Sequence, residues 1–234
     1  MNDKTEKNVT FLNMFFTVLF TVCLLMSNIL ASKLIRIGYW SITAGVIVFP
    51  ISYIINDIVA EVYGFRMARR IIWIGFIMNI FMVAIFSLAI VLPAPLWYEG
   101  SIAFATTLGS TPRIVVAGLL AYLLGSWANA AIISKLKTHS KNGEKFGFRA
   151  ILSTLIGESI DSLIFIPLVF IGNVPFTEMI PMIILQIVFK TSYECLILPL
   201  TAVIVKKVKR YENVDVFDGN ISYGLFGAKH RNSK

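Results

Sequence analysis

The sequence predicts an all-α, polytopic membrane protein with six transmembrane helices. Three observations carry that expectation. The chain of 234 residues is 57% hydrophobic and 15% charged, with a mean hydropathy of +0.78, well beyond the balance of a soluble domain. Its apolar residues gather into six runs, roughly 11–32, 43–63, 71–92, 113–134, 150–172 and 179–205, each near the ~20 residues that cross a hydrocarbon core. The runs are continuous and punctuated by charge, Pro or Gly, whereas a membrane β-barrel would show short alternating segments.

The first run follows a charged N-terminus but is too long for a signal-peptide core. It ends in Ser27, Asn28 and Lys33 with no clear cleavage site, and so reads as a retained helix. The second run carries Asn56, Asp57 and Glu61 in its last turns, then passes into Arg66, Arg69 and Arg70. After the third run, Pro93, Pro95, Trp97, Tyr98 and Gly100 read as an aromatic interfacial loop. The fourth has Ala117, Ala121 and Gly125 at spacing four, with Gly118 and Ala128 adjoining, a stripe that lets helices of the same chain approach closely. Glu158 and Asp161 lie in the fifth. The sixth is longer than a straight crossing needs and contains Pro199, so tilt or a kink is expected to absorb the excess. Residues 1–210 therefore form a transmembrane domain, and 211–234 a polar, mobile cytoplasmic tail.

The net charge of +8 does not point to a nucleic-acid partner, because the basic residues sort by loop. Lys and Arg number two in the N-terminal tail (Lys4, Lys7), three in the second loop, five from Lys135 to Arg149 and seven in the C-terminal tail; the first loop has only Lys33 and Arg36. The positive-inside rule then places both termini in the cytoplasm, with Arg66, Arg69 and Arg70 fixing topology. Cys23 and Cys195 lie in different runs, which excludes CxxC redox or zinc spacing, and they read as small hydrophobes.

Five acids fall within the spans: Asp57, Glu61, Glu158, Asp161 and Glu194. Lys190 is the only base among them. Asp57 and Glu61 are i,i+4, Glu158 and Asp161 i,i+3, and Lys190 and Glu194 i,i+4, so each pair shares a helix face. Ionisable groups at that depth are costly and mark a pathway or binding site. Glu61, within one turn of the arginines, is expected to pair with Arg66 or Arg69 at the interface. Lys190 and Glu194 either neutralise one another or meet a ligand. Asp57, Glu158 and Asp161 have no base on their own helices and point to function.

Amides at Asn28, Asn56, Asn79, Asn129 and Gln186 can donate and accept, and Asn28, after Ser27 in an apolar stretch, stands out. With Phe49, Tyr53, Phe165 and Tyr193 nearby in the pattern, such groups suit a flat heterocycle rich in N–H donors. A cation or an amino acid would need much the same groups. The sequence calls for no cofactor, no metal and no catalytic residue. There is no GxxxxGK[ST] loop, HExxH or GxSxG, and His139 and His230 lie in expected cytoplasmic segments. An intramembrane enzyme built on paired aspartates is the reading from another class.

The segments Asn56-Asp57-Ile58-Val59-Ala60-Glu61-Val62-Tyr63-Gly64 with Ala68-Arg69, Gly157-Glu158-Ser159-Ile160-Asp161-Ser162 with Phe165, and Lys190 with Tyr193-Glu194 and Pro199 resemble the queuosine precursor transporter family. That resemblance implies a bacterial inner-membrane importer of 7-deazaguanines: the cyano or aminomethyl precursors of queuosine, or queuine, salvaged for tRNA modification. It also implies a fold similar to the substrate-binding subunits of energy-coupling-factor vitamin transporters. By motif, Asp57, Glu158, Asp161 and Lys190 would line the substrate cavity, with Ser27 and Asn28 as a looser match, and Glu194 joins the expected substrate-binding set. Partners are then the deazapurine and the lipid bilayer, with coupling subunits or self-association, and no nucleic acid. The runner-up within transport is a subunit that binds another small heterocycle and takes its energy from a separate ATPase.

Overall fold

The computed structural model describes residues 10–37, 40–109, 112–138, 146–172, 174–218 and 222–224. Lys4, Lys7, His139, His230, Gly219 and Gly227 lie outside them. The described residues form seven helices and one hairpin: α1 (Phe11–Leu30), β1 (Leu34–Ile37), β2 (Trp40–Thr43), a 3-10 turn (Ala44–Ile47), α2 (Phe49–Tyr63), α3 (Phe65–Val91), α4 (Ser101–Leu108), α5 (Pro112–Thr138), α6 (Phe146–Phe170) and α7 (Phe176–Glu212). The protein is an all-α polytopic membrane protein. Five helices, α1, α3, α5, α6 and α7, are long and apolar enough to cross a membrane.

The second expected span takes a different form. Its first residues are spent on β2 and the 3-10 turn, leaving α2 with 15 residues, or about 22 Å of helix. That is short for a crossing, and α2 sits instead at the bundle's centre. Twelve of its residues are buried, against α1, α3, α5 and α7. Pro50 in its first turn suits a helix start, where a missing N–H costs nothing.

Around this centre each outer helix shows one face to the core and the rest outward. On α1, Phe16, Phe20, Cys23, Leu24 and Ser27 are buried, at helical spacing, while Phe11, Met14, Phe15, Val18, Val22 and Met26 are exposed. Outward apolar residues are what hydrocarbon surroundings require. α5 and α6 form the most extensive helix pair, and their backbones meet where both carry glycine. A Cβ on Gly125 would fall 2.9 Å from the Gly157 carbonyl oxygen, and one on Gly157 equally close to that of Gly125. The Ala117, Ala121, Gly125 stripe thus packs inside the chain.

Two local elements were not expected. Residues 34–43 pair as an antiparallel hairpin with Ile35 opposite Ile42, and Ala44 N donates to the Lys33 carbonyl at 2.8 Å, closing it onto α1. α4 occupies part of the interfacial loop, between the exposed Leu96 and Trp97 and Gly109. α7 has 37 residues, about 55 Å, and runs past a core of ~30 Å, carrying Lys206, Lys207, Lys209 and Arg210 beyond it.

The described part of the tail is an ordered strap. Val216 N donates to the Val62 carbonyl at 3.1 Å. Asp218 Oδ2 accepts from Phe65 N and from Ser134 Oγ, each at 2.6 Å, so its carboxylate caps the start of α3. Trp127 Nε1 donates to the Tyr223 carbonyl. Arg69 Nη1 donates to the carbonyls of Ser222 and Gly224. The strap therefore ties α2, α3, α5 and α7 together at one end of the bundle, called here the strap end.

Gly64, between α2 and α3, makes the docking geometrically feasible. Its φ of 83° and ψ of 169° are open essentially to glycine alone, and a Cβ there would lie 2.8 Å from Val216 and 3.0 Å from Asp218. Gly64→Ala is expected to cost more than Gly172→Ala, which shares a positive φ of 88° but has nothing within 4 Å. Backbone strain of about 1–3 kcal/mol applies to both, and the excess for Gly64 measures the strap; thermal unfolding in detergent reads the difference.

Candidate functional site

Three groups of buried polar side chains lie along the bundle, each drawn from several helices. The first centres on Lys190 of α7. Its Nζ is 2.6 Å from Glu158 Oε2 and 3.1 Å from Asp161 Oδ2 of α6, and 4.1 Å from the ring centre of Phe49 on α2. Spacing i,i+3 puts both carboxylates on one face. All three ionisable residues are buried.

Lys190 and Asp161 also wall a cavity of about 50 Å³ with Asn28, Phe49, Tyr122, Phe165 and Gln186. A larger cavity of about 380 Å³, between α1, α3, α4, α5 and α6, shares Asn28, Ala31, Thr43, Gly118 and Phe165 with it. Asn28 Nδ2 donates to Asn79 Oδ1 at 2.7 Å, linking α1 to α3 across this boundary. The large cavity is a vestibule at the end opposite the strap, with Thr106 and Thr107 of α4 on its rim.

The second group takes one residue from each of four helices. Asn129 Nδ2 of α5 donates to Asp57 Oδ1 of α2 at 2.6 Å, and Thr154 Oγ1 of α6 reaches Asn129 Oδ1 at 3.5 Å. Glu194 of α7 faces Asp57 and Thr154. Asp57, Glu158 and Glu194 do not wall the small cavity; they stand behind it.

The third group lies at the strap end. Glu61 Oε1 is 2.8 Å from Arg149 Nη2 and 2.8 Å from Lys209 Nζ, with Lys137 at 4.0 Å. Lys137 also donates to the Glu61 carbonyl and to the Val216 carbonyl of the strap, and Lys209 pairs with Asp215 at 3.0 Å. Burial pushes the Asp215 carboxyl up, but hydrogen bonds from Lys137 and Lys209 outweigh it and hold it below the usual carboxylate value.

These contacts correct one expectation and remove one of two alternatives. Glu61 does not pair with Arg66 or Arg69: the turn at Gly64 breaks the helix between them, leaving Arg66 and Arg70 exposed and Arg69 on the strap carbonyls. Nor do Lys190 and Glu194 neutralise each other, since Lys190 is bound by Glu158 and Asp161 across the α6–α7 interface. Arg149, Lys137 and Lys209 went unremarked because they count as loop charge in the sequence. A signal existed: Lys137 sits in the last turn of an apolar helix and Arg149 in the first turns of the next.

The sequence profile of the family described as "Putative vitamin uptake transporter" matches residues 43–204. The chain belongs to that family. It is a family of transporters and not of enzymes. The matched region of this vitamin uptake transporter family member contains Asp57, Glu61, Glu158, Asp161, Lys190 and Glu194, while Asn28, Lys209 and the strap lie outside it. A Bacillus subtilis (strain 168) protein named "Probable queuosine precursor transporter" is 24% identical over 161 residues, covering 66% of this chain and 66% of that relative, just under two thirds of its length. No solved structure matches.

Removing one partner from a buried ion group costs about 3–5 kcal/mol, so Glu61→Gln, which removes the carboxylate that Arg149 and Lys209 share, is expected to destabilise on that scale. Arg66→Gln is expected to leave stability nearly unchanged; thermal unfolding in detergent compares the two. Because the Asp215 carboxyl is lowered on folding, its contribution to the strap is full above its ordinary value near ~4 and is lost as pH falls through the lowered one. Trp127 fluorescence, read in a variant with the other tryptophans replaced by Phe, is expected to report strap release in that acid range.

Proposed function

We propose that this transporter imports 7-deazaguanine precursors of queuosine, the cyano or aminomethyl base or queuine, across the bacterial inner membrane, with both termini in the cytoplasm. The observation that carries the reading is the Asp161–Lys190 wall of a buried cavity with aromatic rings beside it. A guanine-type edge offers two adjacent N–H donors and one carbonyl oxygen. Asp161 can accept both donors in the manner of a bidentate carboxylate pair, Lys190 or the Gln186 amide can meet the carbonyl, and Phe49 and Phe165 can cover the ring faces. Glu158 remains a charge partner for Lys190 when Asp161 turns to the base, and Asn28 stands at the boundary with the vestibule.

The cavity of about 50 Å³ has room for a few waters and not for a bicyclic base. Binding then requires side chains to part, and the vestibule is the entry. The name of the Bacillus subtilis relative supports the same substrate class. The positive-inside distribution of Lys and Arg supports the strap end as the cytoplasmic side, so that the vestibule opens outward.

In cells unable to make deazaguanines, the protein is expected to restore queuosine in tRNA when a precursor is supplied. Charge-assisted hydrogen bonds are worth about 1.5–3 kcal/mol, so Asp161→Asn and Lys190→Met are each expected to weaken binding roughly 10- to 100-fold while the protein still inserts. Wild-type tRNA queuosine at limiting precursor in both variants would remove these two residues from the site. Uptake by the purified protein in liposomes would separate a self-sufficient carrier from a subunit that needs a partner ATPase.

A further inference from the structure

The Asp57–Glu194 group holds more acceptors than donors. Asp57 and Glu194 are almost wholly buried, at 1% and 3% exposure, and their carboxyls face each other. Asn129 supplies one N–H, to Asp57 Oδ1. Among the described residues, Asp57 Oδ2 and both oxygens of Glu194 have no base and no well-formed hydrogen bond; the Thr154 hydroxyl beside Glu194 is the one other donor that faces the pair.

Among the described residues, the bases of the surrounding helices are committed elsewhere. On α7, Lys190 is held by Glu158 and Asp161 of α6, and Lys209 by Glu61 and Asp215. Arg149 of α6 binds Glu61, and Lys137 of α5 binds Asp215 and lies near Glu61. On α2, the other titratable neighbours are Glu61 and Tyr53, an acid and a phenol. Asn129 and Thr154, facing the pair from α5 and α6, carry no charge. Two ionised carboxylates in this setting would repel one another with one amide between them. One proton removes a charge and creates the missing O–H donor between Asp57 and Glu194.

We propose that Asp57 and Glu194 together form a proton-binding site that couples substrate import to proton entry. The proposal rests on the transport reading above. Position makes the coupling direct: Glu194 lies one turn from Lys190 on α7, and Asp57 one turn from Glu61 on α2. A proton arriving from the vestibule side is held as an O–H between the two carboxyls. When the base takes over Asp161, Lys190 loses one of its two acceptors and can swing toward Glu194, whose ionisation it then favours. The proton leaves to water past Glu61 on the strap side, and one proton and one base have moved in the same direction with no bond to carbon or nitrogen altered.

The test uses the full chain in liposomes with labelled 7-cyano-7-deazaguanine, a neutral base, as the probe. With an acidic exterior the wild type is expected to concentrate the base, up to about tenfold per pH unit for one proton per base. Glu194→Gln and Asp57→Asn are expected to lose the response to the gradient. Concentration that persists in Glu194→Gln, or that follows a sodium gradient at equal pH, overturns the proton site. So does a wild type that exchanges internal for external base yet ignores the pH gradient, and that result leaves the transport reading intact. Failure of exchange itself, in wild-type protein that elutes as a single folded species, brings down both.

Discussion

Lys190 is the charge on which the bundle's interior depends. It is buried, it reaches Glu158 and Asp161 on the neighbouring helix, and it lies over the ring of Phe49 on a third. An unpaired charge at this depth would be among the most costly features a membrane helix can carry. The requirement that it be met from another helix therefore constrains how α2, α6 and α7 approach. The close contact of α5 and α6 at Gly125 and Gly157 serves the same end, because Tyr53 of α2 fits against that crossing, where its hydroxyl lies 2.7 Å from a Cβ built on Gly125.

Seen along the bundle, ionisable groups occupy three levels that differ in how fully charge is balanced. The strap end is rich in cations, with Lys137, Arg149 and Lys209 about Glu61 and Asp215. The cavity level has one cation for two carboxylates. Between them, Asp57 and Glu194 have none. Charge is thus most fully balanced at the strap end, which several opposite charges tie shut, and least balanced at the middle level.

Much of this was legible in the sequence, for an identifiable reason. Hydropathy marks apolar runs, and helical spacing marks which residues of one helix share a face, so Asp57, Glu158, Asp161, Lys190 and Glu194 could be grouped before any fold was known. Spacing does not say which helix lies opposite. That is why Glu61 was matched to nearby Arg66 and Arg69 when its partners are Arg149 and Lys209, 88 and 148 residues away. The second apolar run hid a change of structure, because the strand residues 40–43 and the 3-10 turn are as apolar as the helix that follows. The strap was illegible for the opposite reason: a polar, glycine-containing tail has the composition of a mobile one, and only the unfilled donors at the start of α3 give it a place to bind.

That strap has a consequence for how the protein is made. Residues 213–224 are translated after all seven helices, so during insertion the amide of Phe65 has no Asp218 to meet, and Lys137 and Trp127 lack their strap carbonyls. A ribosome that stalls before this segment releases a chain whose helices are all in the bilayer but whose end is left unsealed. The ends of α2, α3 and α5 are thus closed only by a segment made after every helix they belong to.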